Sequence, residues 1–126
     1  MHLLDTDILI WLTRSNPQTL KILDFLKNKA PTHISTVTIA EIYKNIYPSE
    51  IIDTDEVIYN HIILPLDDQT AKQAGLYWRD YHPKLKELSI TDCMIAATAK
   101  KYDLILLSTN TRHLPMPDIK VINPLK

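Results

Sequence analysis

Short apolar runs alternate with amphipathic stretches from one end of the sequence to the other, and this alternation limits the fold more than any other feature. Residues 2–4, 62–64, 104–107 and 119–122 are brief and mainly apolar, and with His33-Ile34-Ser35 they are candidates for short strands. The stretches between them repeat apolar residues every three or four positions. Examples are Leu20 and Leu23, then Ile39, Ile42 and Ile46, then Ala71, Ala74, Tyr77 and Trp78. That period predicts helices over 7–13, 19–29, 38–46, 68–82 and 89–102, the first stopped near Asn16-Pro17. Residues 48–60 are ambiguous, because Pro48-Ser49 opens a helix that Asp53-Thr54-Asp55 interrupts. Apolar strands each followed by a helix imply an α/β fold with a mainly parallel sheet covered on both faces. The 126 residues are enough for one domain, 1–126, and at 45% hydrophobic they suffice for a core.

Composition removes several classes of function. The single glycine, Gly75, excludes a P-loop, a dinucleotide-binding turn and a nucleophile elbow. The single cysteine, Cys93, excludes an intrachain disulfide and a cysteine-rich zinc site. It lies in an apolar helix and reads as buried and inert. The five histidines form no H-x-x-x-H pair. No apolar run approaches a membrane span, and the first residues lack the basic segment of a signal peptide, so a soluble cytoplasmic protein is expected.

The net charge of −1 hides an uneven distribution. Between Lys44 and Lys72 there is no Lys or Arg, while six of the 15 acids fall in that gap. The rest of the chain holds all 14 basic residues against nine acids. One sector should therefore repel phosphate and the remainder accept it, unless the gap is simply a solvated acidic loop.

In open parallel sheets, ligands bind beyond the carboxyl ends of the strands. Asp5-Thr6-Asp7 follows the first run. Ser35-Thr36-Val37-Thr38 follows the second, with Glu41 one turn onward. Ser108-Thr109-Asn110 follows the run at 104–107, and the helix before it opens Ser89-Ile90-Thr91-Asp92. Each acid has an ordinary structural use. Thr38-x-x-Glu41 and Ser89-x-x-Asp92 both fit a capping box, and Asp5 or Asp7 suits a helix cap. Asp7 fits either a cap at Ile8 or a water-mediated approach to a metal, and the cap is preferred. Brought to one crevice, however, Asp5, Glu41 and Asp92 repel one another and require protons or a cation. All-oxygen ligands favour Mg²⁺ or Mn²⁺ over zinc, and such ions promote phosphodiester hydrolysis.

Four segments carry a family likeness. Leu3-Leu4-Asp5-Thr6-Asp7-Ile8-Leu9-Ile10, Ile34 through Ile42, Ser89 through Ala99, and Leu106-Leu107-Ser108-Thr109-Asn110 resemble the PIN-domain nucleases, above all the VapC-type toxins of toxin–antitoxin pairs. The resemblance spans nearly the whole chain, in order and at matching spacing. It implies a three-layer α/β/α fold, Mg²⁺- or Mn²⁺-dependent endoribonuclease activity, a protein antitoxin and a homodimer. It places the acidic triad on Asp5, Glu41 and Asp92. Many members carry a fourth acid after the last buried strand, where this chain has Thr109-Asn110-Thr111-Arg112-His113. His113 stands at the expected position of that acid, and Asn110 can orient water or a carboxylate through its amide. Arg79, Lys84 and Lys86, just ahead of the helix bearing Asp92, are candidates for RNA phosphate contacts.

Three rival readings are weaker. Asp5-Thr6-Asp7 also resembles the D-x-D motif of haloacid-dehalogenase-type phosphotransferases, but Leu9 stands where that motif wants Thr or Val, and no late acid pair follows. A receiver domain needs a lone Asp after the third strand, which Asp53 and Asp55 supply poorly. A non-catalytic PIN-like interaction scaffold has no use for an intact triad.

Overall fold

The computed structural model describes residues 1–126. Five strands, β1 (His2–Leu4), β2 (Thr32–Ser35), β3 (Ile62–Leu64), β4 (Ile105–Leu107) and β5 (Val121–Ile122), form one sheet in the order β3-β2-β1-β4-β5. All four pairings are parallel. The sheet is thus wholly parallel, as expected for short, mostly apolar strands each followed by a helix. The strand order reverses at β1, with β2 on one side of it and β4 on the other. Such a switch point opens a crevice at the carboxyl ends of the two central strands.

Side chains alternate across each strand, and the core divides accordingly. Leu3 and Leu106, paired in register, join the cluster that contains Tyr77, Ile95, Ala96 and Ala99. Their neighbours Leu4 and Leu107, also paired, face the other way and pack with Ile8, Leu9, Ile22, Ile34 and Ile58. Helices α5 (Asp68–Tyr81) and α6 (Ile90–Tyr102) cover the first face. Helices α1 (Thr6–Leu12), α2 (Pro17–Leu26) and α4 (Ile51–Tyr59) cover the second. Helix α3 (Thr36–Tyr43) sends Val37 to the first cluster and Ile39 and Ile42 to the second. The result is three layers, α/β/α.

Two local expectations need correction. Asn16-Pro17 does not merely end the first helix; it begins the second. Asn16 Oδ1 accepts from the Thr19 amide at 3.2 Å, and Pro17 occupies the first helical turn, where its missing N–H costs nothing. Residues 51–59 are continuous helix through Asp53-Thr54-Asp55. Burial of Thr54 and Ile58 against the sheet outweighs the weak helix propensity of that triplet. Helix α6 ends where expected, with Asp103 in the left-handed region at φ 52°.

Candidate active site

The crevice at the carboxyl ends of β1 and β4 is built by their first non-strand residues. Asp5 closes the ladder with its amide, which donates to Leu107 O at 2.9 Å, and then caps α1. Its Oδ1 accepts from the Thr6 amide at 2.8 Å and its Oδ2 from Ser108 Oγ at 2.7 Å. The carboxyl group is thereby pinned where two neighbouring strands end, and the residue is only 6% exposed. Capping therefore falls to Asp5, and α1 starts at Thr6 rather than Ile8. Asp7 lies in the first turn, where its Oδ1 accepts from the Ile8 amide at 2.8 Å. Its Oδ2 accepts from both the Thr109 amide, at 2.8 Å, and the Thr109 hydroxyl. Asp7 thus ties α1 to the segment that leaves β4.

Glu41 is not part of a capping box. Ser35 caps α3 by accepting from the Val37 amide at 3.1 Å, which frees Thr38 and Glu41 to act elsewhere. Thr6 Oγ1 donates to Glu41 Oε1 at 2.6 Å and lies 3.1 Å from the Thr38 hydroxyl. A hydroxyl has one hydrogen, and the shorter contact gives that of Thr6 to Glu41, with the Thr38 hydroxyl beside it. Asp92 does complete a capping box. Its amide donates to Ser89 Oγ at 3.0 Å, and its Oδ2 accepts from the Ser89 amide at 3.2 Å. Its cap role uses one oxygen and leaves the other.

Asp5, Asp7, Glu41 and Asp92 line one cleft of about 350 Å³, together with Thr6, Ile10, Lys44, Asn45 and Asn110. Burial raises the Asp5 carboxyl from its ordinary value of 3.8 to about 7, aided by the charges of Asp7 and Asp92 and opposed by the bonds from Ser108 and Thr6. The fold thus holds a carboxyl group where its own surroundings resist ionisation. A cation in the cleft would reverse that resistance. The donor set, four carboxylates with hydroxyls and amides and no thiolate or imidazole, fits a hard divalent ion. As they stand, no three of the acids converge tightly enough to ligate a single ion.

The remaining sequence candidates fall at different distances from the chemistry. Asn110 lines the cleft, and Thr109 stands behind Asp7. His113 ends a short 3₁₀ turn and does not line the cleft. Arg79 is exposed and paired with Asp80 at 3.2 Å. Lys84 and Lys86 are exposed in the connector between α5 and α6, outside the cleft lining. Cys93 is buried, and burial with the nearby Asp92 charge pushes its thiol up to about 11, so it is inert.

The sequence matches the PIN domain family over residues 2–118. This chain belongs to the PIN-domain family. The PIN domain is 29% identical over 116 residues to ribonuclease VapC10 of Mycobacterium tuberculosis, covering 92% of this chain and 87% of the relative. It is also 29% identical over 123 residues to ribonuclease VapC19 of the same organism, covering 95% and 98% of the two chains. Among solved structures, DNA-bound VapBC from Salmonella typhimurium superposes with a TM-score of 0.82 at 23% identity, over 98% of this chain and 97% of that one. A toxin–antitoxin complex from Klebsiella pneumoniae gives a TM-score of 0.80 at 24% identity over 98% of each chain. These superpositions establish the fold of this PIN domain across its length.

Sequence reasoning overlooked Lys44 and Asn45, which line the PIN-domain cleft. A signal was present. Both lie one helical turn beyond Glu41, and residues three and four apart share a helix face. The orienting roles of Thr6 and Ser108 were less accessible, because they depend on hydrogen bonds between residues 35 and 103 positions apart.

Proposed function

We propose that this PIN domain is a metal-dependent endoribonuclease and the toxin of a toxin–antitoxin pair, acting in the cytoplasm as a homodimer until a protein antitoxin blocks it. The observation that carries this reading is the convergence of Asp5, Glu41 and Asp92, from three separate elements, on one cleft at the strand switch point. The names of the VapC relatives and the toxin–antitoxin neighbours support the substrate class and the partner. No helix is long and apolar enough to cross a membrane.

In this proposal Asp5, Glu41 and Asp92 hold Mg²⁺ or Mn²⁺, and Asp7 supports them. When bound, the ion supplies Lewis-acid polarisation of the phosphate and a more acidic water. The chain supplies placement. Ser108 and the Thr6 amide orient Asp5, the Thr6 hydroxyl orients Glu41, and Ser89 orients Asp92. Thr109 fixes Asp7, and Asn110 offers an amide at the cleft wall. Arg79, Lys84 and Lys86 contact phosphates further along the strand. His113 receives no part in this arrangement.

One observation favours a second reading, a non-catalytic scaffold. No three acids are arranged as a finished metal site. A single experiment separates the two. Purified protein is incubated with a panel of RNAs in Mg²⁺, in Mn²⁺ and in excess chelator, beside Asp92→Asn. The nuclease cuts RNA with either ion, stops in chelator while keeping its circular dichroism spectrum, and loses activity in Asp92→Asn. Absence of cleavage under every condition leaves the scaffold. Phosphate release from small esters without RNA cleavage indicates a phosphotransferase instead.

A further inference from the structure

Lys44 stands apart from the other cations near this end of the molecule. It is the C-cap of α3, and its amide donates to Ala40 O at 3.1 Å, continuing the hydrogen bonding of the helix. It follows Glu41 by three residues and therefore projects from the same helix face. It lines the same cleft as Asp5, Asp7, Glu41 and Asp92. The ion pairs of the molecule are Arg79 with Asp80, Lys100 with Asp118 and Lys101 with Asp67. Lys44 takes part in none of them, although four carboxylates line its own cleft. It is exposed, and the next Lys or Arg in the chain is Lys72.

From this placement we infer that Lys44 is the phosphate-positioning residue of the cleft, whose ammonium engages the RNA backbone beside the scissile bond. The inference rests on the nuclease reading above. Its physical basis is charge. A cleft walled by carboxylates repels a phosphodiester, and binding needs positive charge that the acids have not already consumed. A lysine close to an acid but free of it supplies that charge without competing for the ligand oxygens. The helix C-terminus behind it favours a cation in the same place. Lys84 and Lys86 lie outside the cleft lining, which suits them to phosphates away from the reacting one. The opposing account makes Lys44 an internal counter-ion of the acids, neutralising the cleft and excluding metal.

The test compares wild type with Lys44→Ala, Lys44→Arg and Lys44→Glu in the full chain. Binding of a labelled single-stranded RNA is titrated against salt in chelator, where no ion contributes. The inference predicts a salt slope shallower by about 0.7 for Lys44→Ala, as expected when one phosphate is no longer neutralised. In Mg²⁺, KM should rise about tenfold, the loss of one charge-assisted bond, with a smaller change in kcat. Lys44→Arg should recover most of the affinity, and Lys44→Glu should bind worse than Lys44→Ala. Thermal melting should be unaltered, since the side chain has no partner in the fold. Mn²⁺ affinity, read by calorimetry without RNA, should be the same in wild type and Lys44→Ala. An unchanged slope and KM in Lys44→Ala overturns the inference, as does a defect that Arg fails to rescue. Tighter Mn²⁺ binding with unaltered RNA affinity also overturns it and establishes the counter-ion account. If wild type neither binds nor cuts RNA, the nuclease reading itself fails, and the inference with it.

Discussion

Ser108 Oγ donates to Asp5 Oδ2 at 2.7 Å, joining the residue after β4 to the residue after β1 across the point where the strand order reverses. Both residues are buried, so the bond sets the position of the carboxyl without letting water relax it. Two hydrogen bonds do not overcome the cost of that burial, and the Asp5 carboxyl is pushed up to about 7. A raised carboxyl pKa means that folding disfavours the charged form. The associated stability is intact below the unfolded value near 4 and is lost as pH rises through about 7. In chelator, Asp5→Asn should therefore be more stable than wild type at pH 8 by about 4 kcal/mol, and the gap should close near pH 4. Urea midpoints at both pH values measure this. Parallel pH profiles for the two proteins would show that Asp5 is not strained by its surroundings.

Asp5 and Asp92 serve both as helix caps and in the proposed site, and amide substitutions separate those roles. Asn is as good an N-cap as Asp, and at position 92 its oxygen still accepts from the Ser89 amide. Asp5→Asn, Glu41→Gln and Asp92→Asn should each lower RNA cleavage by roughly 10²-fold or more, the scale of removing a catalytic electrostatic interaction. Melting temperatures in chelator should not fall. Inactivity that tracks loss of folding would return these residues to a purely structural role.

Thr6 tests the hydrogen bond that orients Glu41. Thr6→Val keeps the shape and removes the hydroxyl that donates to Glu41 Oε1 at 2.6 Å. Loss of such an outer hydrogen bond typically costs 10–100-fold in activity or metal affinity. Thr6→Ser should keep most of the function, and Thr38→Val should have a smaller effect than Thr6→Val, being one bond further away. Mn²⁺ titration by calorimetry reads the effect independently of cleavage. Equal behaviour of the Val and Ser variants at position 6 would remove the orienting role of the Thr6 hydroxyl.

These hydrogen bonds mark the limit of what could be read from the sequence. The layered parallel fold was legible, because runs such as Leu104–Leu107 admit little except a doubly covered strand. The placement of Asp5, Glu41 and Asp92 followed from their positions after strands and at helix starts. The partners were harder. Thr38-x-x-Glu41 and Ser89-x-x-Asp92 are the same pattern in one dimension, yet only the second forms a capping box. The difference lies with Ser35, which takes over the cap of α3, and with Thr6, which approaches from another helix. Residues 51–59 were obscured for a related reason, since the burial of Ile58 is decided by the sheet and not by its polar neighbours.

Gly75 offers a check on energetics away from the site. It is exposed in the interior of α5, and a Cβ built there meets nothing within 4 Å. Glycine in a helix interior costs about 0.5–1 kcal/mol relative to alanine. Gly75→Ala should stabilise the protein by that amount and leave RNA cleavage unchanged. A destabilised variant would mean that this face of α5 is covered in solution, most simply by a second copy of the chain.

The uneven charge predicts where longer RNA runs. Lys84 and Lys86 project from the connector that leads into α6, the helix that carries Asp92. Asp53 and Asp55 lie on α4, against the opposite face of the sheet, where the Tyr43 hydroxyl already engages Asp55. Reversing Lys84 and Lys86 to Glu should weaken RNA binding and flatten its salt dependence, by ~0.7 in slope for each phosphate that is no longer neutralised. Reversing Asp53 and Asp55 to Lys should leave binding unchanged or tighten it, since α4 covers the sheet face opposite to that of α5 and α6. Salt titrations of both double variants distinguish the two faces. A slope unaltered by the Lys reversals, or binding abolished by the Asp reversals, would place RNA across α4 and confine the role of basic residues to Lys44 at the cleft itself.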